Sequence, residues 1–311
     1  MAMRACSWVG RAVRAAGAAA LLAACVAGGL AGQRGPAAPP DSAAAVDRIF
    51  ARWNTRETPG CAVGVARGGR VLLERAYGMA DLEHDVPNTP GTLFEAGSVS
   101  KQFTAAAVVL LAQDGKLSLD DDVRRYIPEV PDYGAPIRIR HLIHHTSGLR
   151  DWGVLAGVAG WPRGTRVHTH AHVLDIVARQ RALNFEPGSE YLYSNTGYNL
   201  LAILVERVTG KPFAEFTKER IFAPLGMART QWRDDYTRVV KGRALAYSGT
   251  PESGFRLDMP FENVHGNGGL LTTVRELLAW NENFVEPRVG GRALVEELER
   301  RGRLNDGRTI A

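Results

Sequence analysis

A chain of 311 residues, 45% hydrophobic and 23% charged, can bury a substantial core, which excludes a disordered or fibrous protein. Its net charge of +5 comes from basic residues scattered singly along the chain, never in a run of five or six, which argues against a nucleic-acid surface. Only five of the 38 basic residues are lysines, so a lysine position is more informative here than an arginine position.

The first forty residues read as an export signal followed by a linker. Arg4, Arg11 and Arg14 precede the apolar run Ala15 to Ala24, which is too short to span a membrane. Residues 1–31 are assigned to export, and the mature protein is expected to be periplasmic or extracellular. Two endings of the signal stand open. "LLAAC" resembles a bacterial lipoprotein signal, which would leave a lipid on Cys25 and attach the protein to a membrane; Gly29-Leu30-Ala31 offers ordinary cleavage instead. Either way Cys61 is the one thiol of the folded part, so no internal disulfide is expected. Residues 32–45, rich in Pro, Ala and Gly, read as a linker, and 46–311 as the folded domain.

A first helix is expected from Asp41 or Ser42 to about Trp53, with Val46, Ile49, Phe50 and Trp53 on one face as a lid over a sheet. "GCAVGVARGGRVLLERAYG" predicts an antiparallel hairpin, Cys61 to Ala66 and Val71 to Ala76, turning at Gly68-Gly69. Helical patterns continue at Ser98 to Gln113, closed by Gly115, then Asp120 to Tyr126, Ile137 to His144, His172 to Ala182, and Thr196 to Val208, closed by Gly210. Phe213 to Ile221, Thr272 to Phe284 and Leu294 to Arg300 complete the series. A hairpin followed by a long helical insert describes an α+β protein whose site lies between a helical region and an antiparallel sheet flanked by helices.

Within "FEAGSVSKQFTAAAVVLLAQDGKLS", Ser98 and Lys101 stand three residues apart at the head of an apolar helix, so both point the same way. The helix N-terminus favours negative charge on the serine oxygen, and a lysine desolvated against the alanine-rich run can become a neutral amine that takes the serine proton. A capping serine with a snorkelling lysine would read the same. Ten serines and five lysines predict about 0.2 such pairs by chance, so the motif alone is only suggestive. A second motif, Tyr193-Ser194-Asn195, sits on a Pro/Gly-introduced loop directly before a helix, where a phenol can move protons and an amide can hold a carbonyl.

Ser98-Val99-Ser100-Lys101 and Tyr193-Ser194-Asn195, in that order and spacing, resemble the penicillin-recognising serine hydrolases, most of all the class C β-lactamase branch with its D,D-peptidases and esterases. "PGCAVGVARGG", "LIHHTSGLRDW", "YSNTGYNLLAILVERVTGKPFAEFTKERIFAPLGM" and "GNGGLLTTVRELLAW" extend the resemblance over about Asp41 to Ala311. It implies the β-lactamase/transpeptidase-like fold, Ser98 as the nucleophile that forms an acyl-enzyme, Lys101 as the group sharing its proton, Tyr193 as acid/base, and Asn195 as the substrate-orienting amide. It further implies the Ser98 N–H as half of an oxyanion hole, and no metal or organic cofactor. The family's third motif, Lys-Thr-Gly or His-X-Gly on a later strand, has no match after Leu271, and "RLNDGRTIA" is where that strand is expected to begin. The expectation is a domain lacking its C-terminal strands.

Other signals weigh less. His168, His170 and His172 alternate in "VHTHAHV" as zinc ligands on a strand would, though an exposed loop leading into a helix explains them as well. His144 or His145 with Asp151 would suit a Ser-His-Asp triad, but no Gly-X-Ser-X-Gly elbow accompanies them and turn packing is the plainer account. Trp152 and Trp161 fit core or loop packing at least as well as a cleft. The sequence thus points to an exported serine hydrolase of amide or ester bonds: a β-lactam, a D-Ala-D-Ala-type or D-amino acid peptide, or a small ester. The rival is an inactive relative that binds cell-wall peptide or a protein partner, or a truncated product without function.

Overall fold

The computed structural model describes residues 40–162, 164–259 and 262–310. The export signal expected over 1–31, Cys25 included, lies outside them, as does most of the expected linker. The end of that linker is helical: α1 spans Pro40–Phe50 and continues as a 3-10 turn, Ala51–Trp53. Its apolar stripe covers less than expected, since Ile49 is 64% exposed, while Phe50 stacks on Tyr77 with ring centroids 5.1 Å apart.

The expected hairpin forms. β1, Cys61–Arg67, pairs antiparallel with β2, Arg70–Tyr77, around Gly68 and Gly69, whose φ of +52° and +69° only glycine adopts at no steric cost. Two short strands, β3 (Met79–Asp81) and β4 (Val86–Pro87), pair next. β5, Phe94–Glu95, then runs through the 3-10 turn Gly97–Val99 into α2, Ser100–Gln113. Every α2 residue from Ser100 to Leu111 except Gln102 is buried, as an alanine- and valine-rich helix without a polar face must be. Gly115, at φ +67°, ends it.

The helix expected over Asp120 to Tyr126 is only the 3-10 turn Val123–Arg125. Here aspartate side chains take the backbone N–H groups that would start an α-helix: Asp121 accepts from Ser118 N–H at 2.8 Å and Asp122 from Arg124 N–H at 2.9 Å. α3 (Ile139–Ile143) comes next, then α4 (Trp152–Val158), which sequence patterning does not reveal, and α5 (His170–Ala178), capped by Thr169. α6 (Asn195–Thr209) stops at Gly210, φ +68°; α7 (Phe213–Thr217) continues as a π turn, Lys218–Phe222. β6 (Gln231–Trp232), the hairpin β7 (Tyr247–Thr250) and β8 (Gly254–Leu257), β9 (Leu270–Thr272), α8 (Val274–Val285) and α9 (Gly291–Leu298) complete the order. Residues 303–309 form a small turn closed by an Arg303–Thr309 bridge rather than the strand expected there.

The result is α+β, with the strand pairs antiparallel as anticipated, but the described strands form separate small sheets rather than one: β1–β2, β3–β4, β5–β9–β6 and β7–β8. α2 and α6 pack against each other at the centre; α3, α5 and α7 pack on α6, α9 on α2, and α8 on the β1–β2 hairpin. Phe103, Leu200, Leu201, Leu204, Phe213, Phe222 and Trp232 anchor the core, each fully buried large side chain contributing about 1.5–3 kcal/mol. β9 pairs with β5, and so ties the turn before β9 to the residues that lead into α2.

Candidate active site

Three chain segments separated in sequence meet above the N-terminus of α2: the 97–101 turn, the 191–195 loop and the turn His265–Gly269. Ser98 leads the first from within its 3-10 turn, and no side chain caps α2, so its hydroxyl is not spent on the helix. It bonds instead to the Tyr193 hydroxyl at 2.8 Å and accepts from Lys101 Nζ at 3.1 Å. Ser100, the next serine, is the structural one: its hydroxyl donates to Gly97 O at 2.6 Å and accepts from Leu270 N–H at 3.1 Å, fastening the turn to β9.

Lys101 is buried, 7% exposed, and donates three ways: to Ser98 Oγ, to Asn195 Oδ1 at 2.9 Å and to the carbonyl of Asn267 at 2.6 Å. Its ammonium also faces the rings of Tyr193 and Tyr198, at 4.8 and 5.5 Å from their centroids. Burial holds its pKa below the ordinary lysine value, against the opposing pull of Tyr193 and Asp151. A lysine ammonium only donates, so the Asn195 oxygen must be the end that faces it, and the amide nitrogen is turned the other way.

All four residues singled out in the sequence, Ser98, Lys101, Tyr193 and Asn195, therefore share one hydrogen-bonded cluster. Ser98 and Tyr193 stand at the open side, Tyr193 being 42% exposed and flanked by exposed Tyr191 and Leu192. Behind Lys101, between α2, α3 and α9, lies a cavity of about 370 Å³ whose lining includes Gln102, His144, Tyr198, Glu297 and Arg300.

Asp151 does not join a triad. Its carboxylate caps α4 through Gly153 N–H and Val154 N–H, and its other oxygen accepts from Asn195 N–H at 2.7 Å. His145 packs behind Tyr193, ring centroids 4.4 Å apart, and accepts from Ser194 N–H at 3.2 Å. Burial and the nearby Lys101 push its pKa down to about 4, which keeps the imidazole neutral and able to accept. Its backbone takes φ +57°, so it is a turn residue that shapes the loop.

The three alternate histidines are not an exposed loop, and only His168 and His172 face each other, edge-on with ring centroids 6.3 Å apart. His168 is buried against Trp152, His172 caps with Thr169, and the His170 ring packs tilted against that of buried His265, centroids 4.3 Å apart. Among the described residues the one cluster with metal-ligand spacing is the surface group Asp81, Glu83 and His84, far from this chemistry in sequence. Trp152 is core, and Trp161 lies on the surface under Arg166.

Sequence reading missed Asn267, and weighed Asp151 only as a triad partner rather than as the acceptor of the Asn195 N–H. The glycine-rich turn is visible as a motif, but a backbone carbonyl leaves no residue-type signature, and Gly266 shows why this turn alone fits. At φ +93° it lies so close to α6 that a Cβ would stand 2.7 Å from that of Ala202 and 2.8 Å from Tyr198 O.

Comparison with known proteins bears on the family and the fold. A protein-family model described as Beta-lactamase matches residues 45–309. The D-aminopeptidase of Gluconobacter oxydans (strain 621H) is 35% identical over 248 residues, 78% of this chain and 45% of that protein. The octameric penicillin-binding protein homologue from Pyrococcus abyssi superposes with a TM-score of 0.74 at 27% identity, over 84% of this chain and 60% of that one. The D-amino acid amidase from Ochrobactrum anthropi SV3, solved with L-phenylalanine amide, gives 0.69 at 27% identity, over 83% and 74%. The chain spans about half the length of the curated relatives it matches. A family match over nearly all of the described residues, the same fold in its structural neighbours, and a serine and lysine in contact at a helix N-terminus lead to one assignment: the chain belongs to the beta-lactamase family.

Proposed function

We propose that this protein is a serine hydrolase of amide bonds that works through an acyl-enzyme on Ser98. The observation that carries the reading is the Ser98 hydroxyl held between the Lys101 amine, at 3.1 Å, and the Tyr193 hydroxyl, at 2.8 Å. A hydroxyl becomes a nucleophile when a neighbour takes its proton, and a buried lysine with a depressed pKa supplies neutral amine to take it. Ser98 Oγ then bonds to the substrate carbonyl carbon while its proton passes to Lys101; the tetrahedral oxyanion sits against the Ser98 N–H at the helix N-terminus. Collapse breaks the C–N bond, and the departing amine takes a proton through Tyr193. Water, giving its proton to the same pair, releases the acid and restores Ser98. The Asn195 NH2, turned away from Lys101, would hold a substrate carbonyl, a reading supported by its oxygen being taken up by Lys101.

The relatives' names favour amides of D-configured amino acids as substrate: D-aminopeptidase at 35% identity, and the D-amino acid amidase among the structural neighbours. The export signal read in residues 1–31 would put that chemistry outside the cytoplasm, either anchored by a lipid on Cys25 or released by cleavage near Ala31; labelling with a fatty acid, beside Cys25→Ala, separates the two.

Intact mass after exposure to a fluorophosphonate and to a penicillin, beside Ser98→Ala, tests the core claim. An adduct on the wild type alone supports it. A folded wild type that takes no adduct overturns it and leaves a binding role. Rates on D- and L-amino acid nitroanilides, a D-Ala-D-Ala peptide, a cephalosporin and a nitrophenyl ester then rank the substrates, the D-nitroanilide being expected first.

A further inference from the structure

We infer that Asn199 is a positioning residue for the acylation of Ser98: by holding the turn at His265–Asn267 it fixes the Asn267 carbonyl on Lys101, so that the neutral amine aims its lone pair at Ser98. This rests on the proposed role of Ser98 as the hydrolytic nucleophile.

A neutral amine has two N–H bonds and one lone pair. Of the three groups around Lys101 Nζ, the Asn267 carbonyl at 2.6 Å and Asn195 Oδ1 at 2.9 Å can only accept, whereas Ser98 Oγ at 3.1 Å can also donate. Two obligate acceptors take both N–H bonds, and the lone pair is left for the serine proton. Without the Asn267 carbonyl, one N–H is free to turn toward Ser98 and the lone pair toward a direction where no proton waits.

Asn199 holds the turn that bears this carbonyl, beside His170, whose Nε2 lies 3.2 Å from His265 N and 3.1 Å from His265 O. From the first turns of α6, the fully buried Asn199 donates both amide hydrogens, to His265 O at 2.9 Å and to Asn267 Oδ1 at 2.7 Å. Thr104 of α2 adds a bond to Gly266 O at 2.8 Å. The Asn199 oxygen, by contrast, has no hydrogen-bond partner among the described residues although it is buried. An unpaired buried acceptor is costly, and a leucine in a helix core would avoid it, so this amide is explained by the two donors it provides. The other groups facing Lys101 are the Tyr193 and Tyr198 rings, His145 and Asp151, and none of them contacts the 265–267 turn through the bonds described.

The test is the rate of Ser98 adduct formation with a fluorophosphonate, followed by intact mass as a function of pH on purified wild type, Asn199→Ala and Asn267→Ala, with thermal unfolding of each. Asn199→Ala is expected to slow the reaction by about 10- to 100-fold. Its acid limb should also move to lower pH, because the Lys101 ammonium loses an acceptor, while KM for an ester substrate changes little as kcat falls. Asn267→Ala removes only one of the two bonds at a partly buried position, should fold, and is expected to shift the same limb in the same direction by less. A structural role alone would lower melting temperature and yield of active sites without moving the limb. Wild-type rates and an unmoved limb in Asn267→Ala, whatever the fate of Asn199→Ala, overturn the inference while leaving the hydrolase intact. Failure of the wild type to form the adduct overturns the hydrolase reading, and this inference with it.

Discussion

Lys101 and Asn267, 166 residues apart in sequence, are joined by a 2.6 Å hydrogen bond from the lysine amine to a backbone carbonyl. That bond ties the helix bearing the nucleophile to the turn before β9. The site is therefore only as precise as the packing of that turn.

Replacing Tyr193 by Phe removes the hydroxyl 2.8 Å from Ser98 and little else, since the ring is partly exposed. Turnover of an amide substrate should fall by about 10²–10⁴-fold, as for other lost acid/base groups, with melting temperature nearly unchanged. Steady-state rates beside a thermal melt decide this.

Acylation should rise with pH along a limb lying below the ordinary lysine pKa, because burial favours the neutral Lys101 amine. Lowering the pH through that limb protonates the amine and removes the proton acceptor. Lys101→Arg, which stays protonated throughout, should lose the limb and about 10³-fold or more in rate. A pH profile of fluorophosphonate labelling tests both halves.

Acid should destabilise the fold in a defined window. Burial, then Lys101, depresses His145 to about 4, and burial, then Arg138 and Arg140, depresses His141 to about 4. An unfolded imidazole titrates near 6.5, so between about pH 6.5 and 4 the unfolded chain binds more protons. The stability these neutral histidines contribute is complete above about 6.5 and is lost as pH falls toward about 4. His145→Asn, which does not titrate and tolerates the positive φ, should flatten that loss in urea melts at about pH 7 and pH 5.

Arg233 is 2% exposed and joins β5 to the residues on either side of the 265–269 turn, pairing with Glu95 at 2.9 Å and Glu262 at 3.4 Å, while its own N–H bonds to Gly269 O at 2.7 Å. Arg233→Ala would remove the cation that Glu95 pairs with here, and unfolding free energy should drop by about 3–5 kcal/mol. Arg233→Ala combined with Glu95→Gln should recover part of the loss, read by denaturant titration.

Gly266→Ala is expected to be the most selective lesion of the turn. A Cβ there would press on Ala202 and Tyr198 at under 3 Å, and the positive φ adds strain, so the turn must move away from α6. Adduct formation should suffer more than melting temperature does, which labelling rates and thermal unfolding compare directly.

Legibility in the sequence differs by element. α2, α6 and the β1–β2 hairpin announce themselves through local patterns that the packing then respects: apolar runs closed by Gly115 and Gly210, and alternation broken at Gly68-Gly69. The turn at 123–125 escapes its helical pattern because aspartate side chains outcompete the helix for backbone N–H groups. The β7–β8 hairpin escapes notice because its residues are mostly exposed and lack apolar alternation.

The site divides along the same line. Residue types at short spacing, Ser98 with Lys101 and Tyr193 with Asn195, are legible because helical geometry turns spacing into direction. That the two pairs meet, that Asp151 serves Asn195 and not a histidine, that His170 finds His265, and that a carbonyl at 267 completes the lysine's surroundings are facts of tertiary packing. Sequence by itself determined which chemical groups were present and which way the local elements would aim them. Only the folded chain decided which groups share a hydrogen-bonded cluster, because backbone carbonyls and long-range contacts carry no signature in residue type and burial shifts Lys101 and His145 toward their neutral forms only once the core has closed.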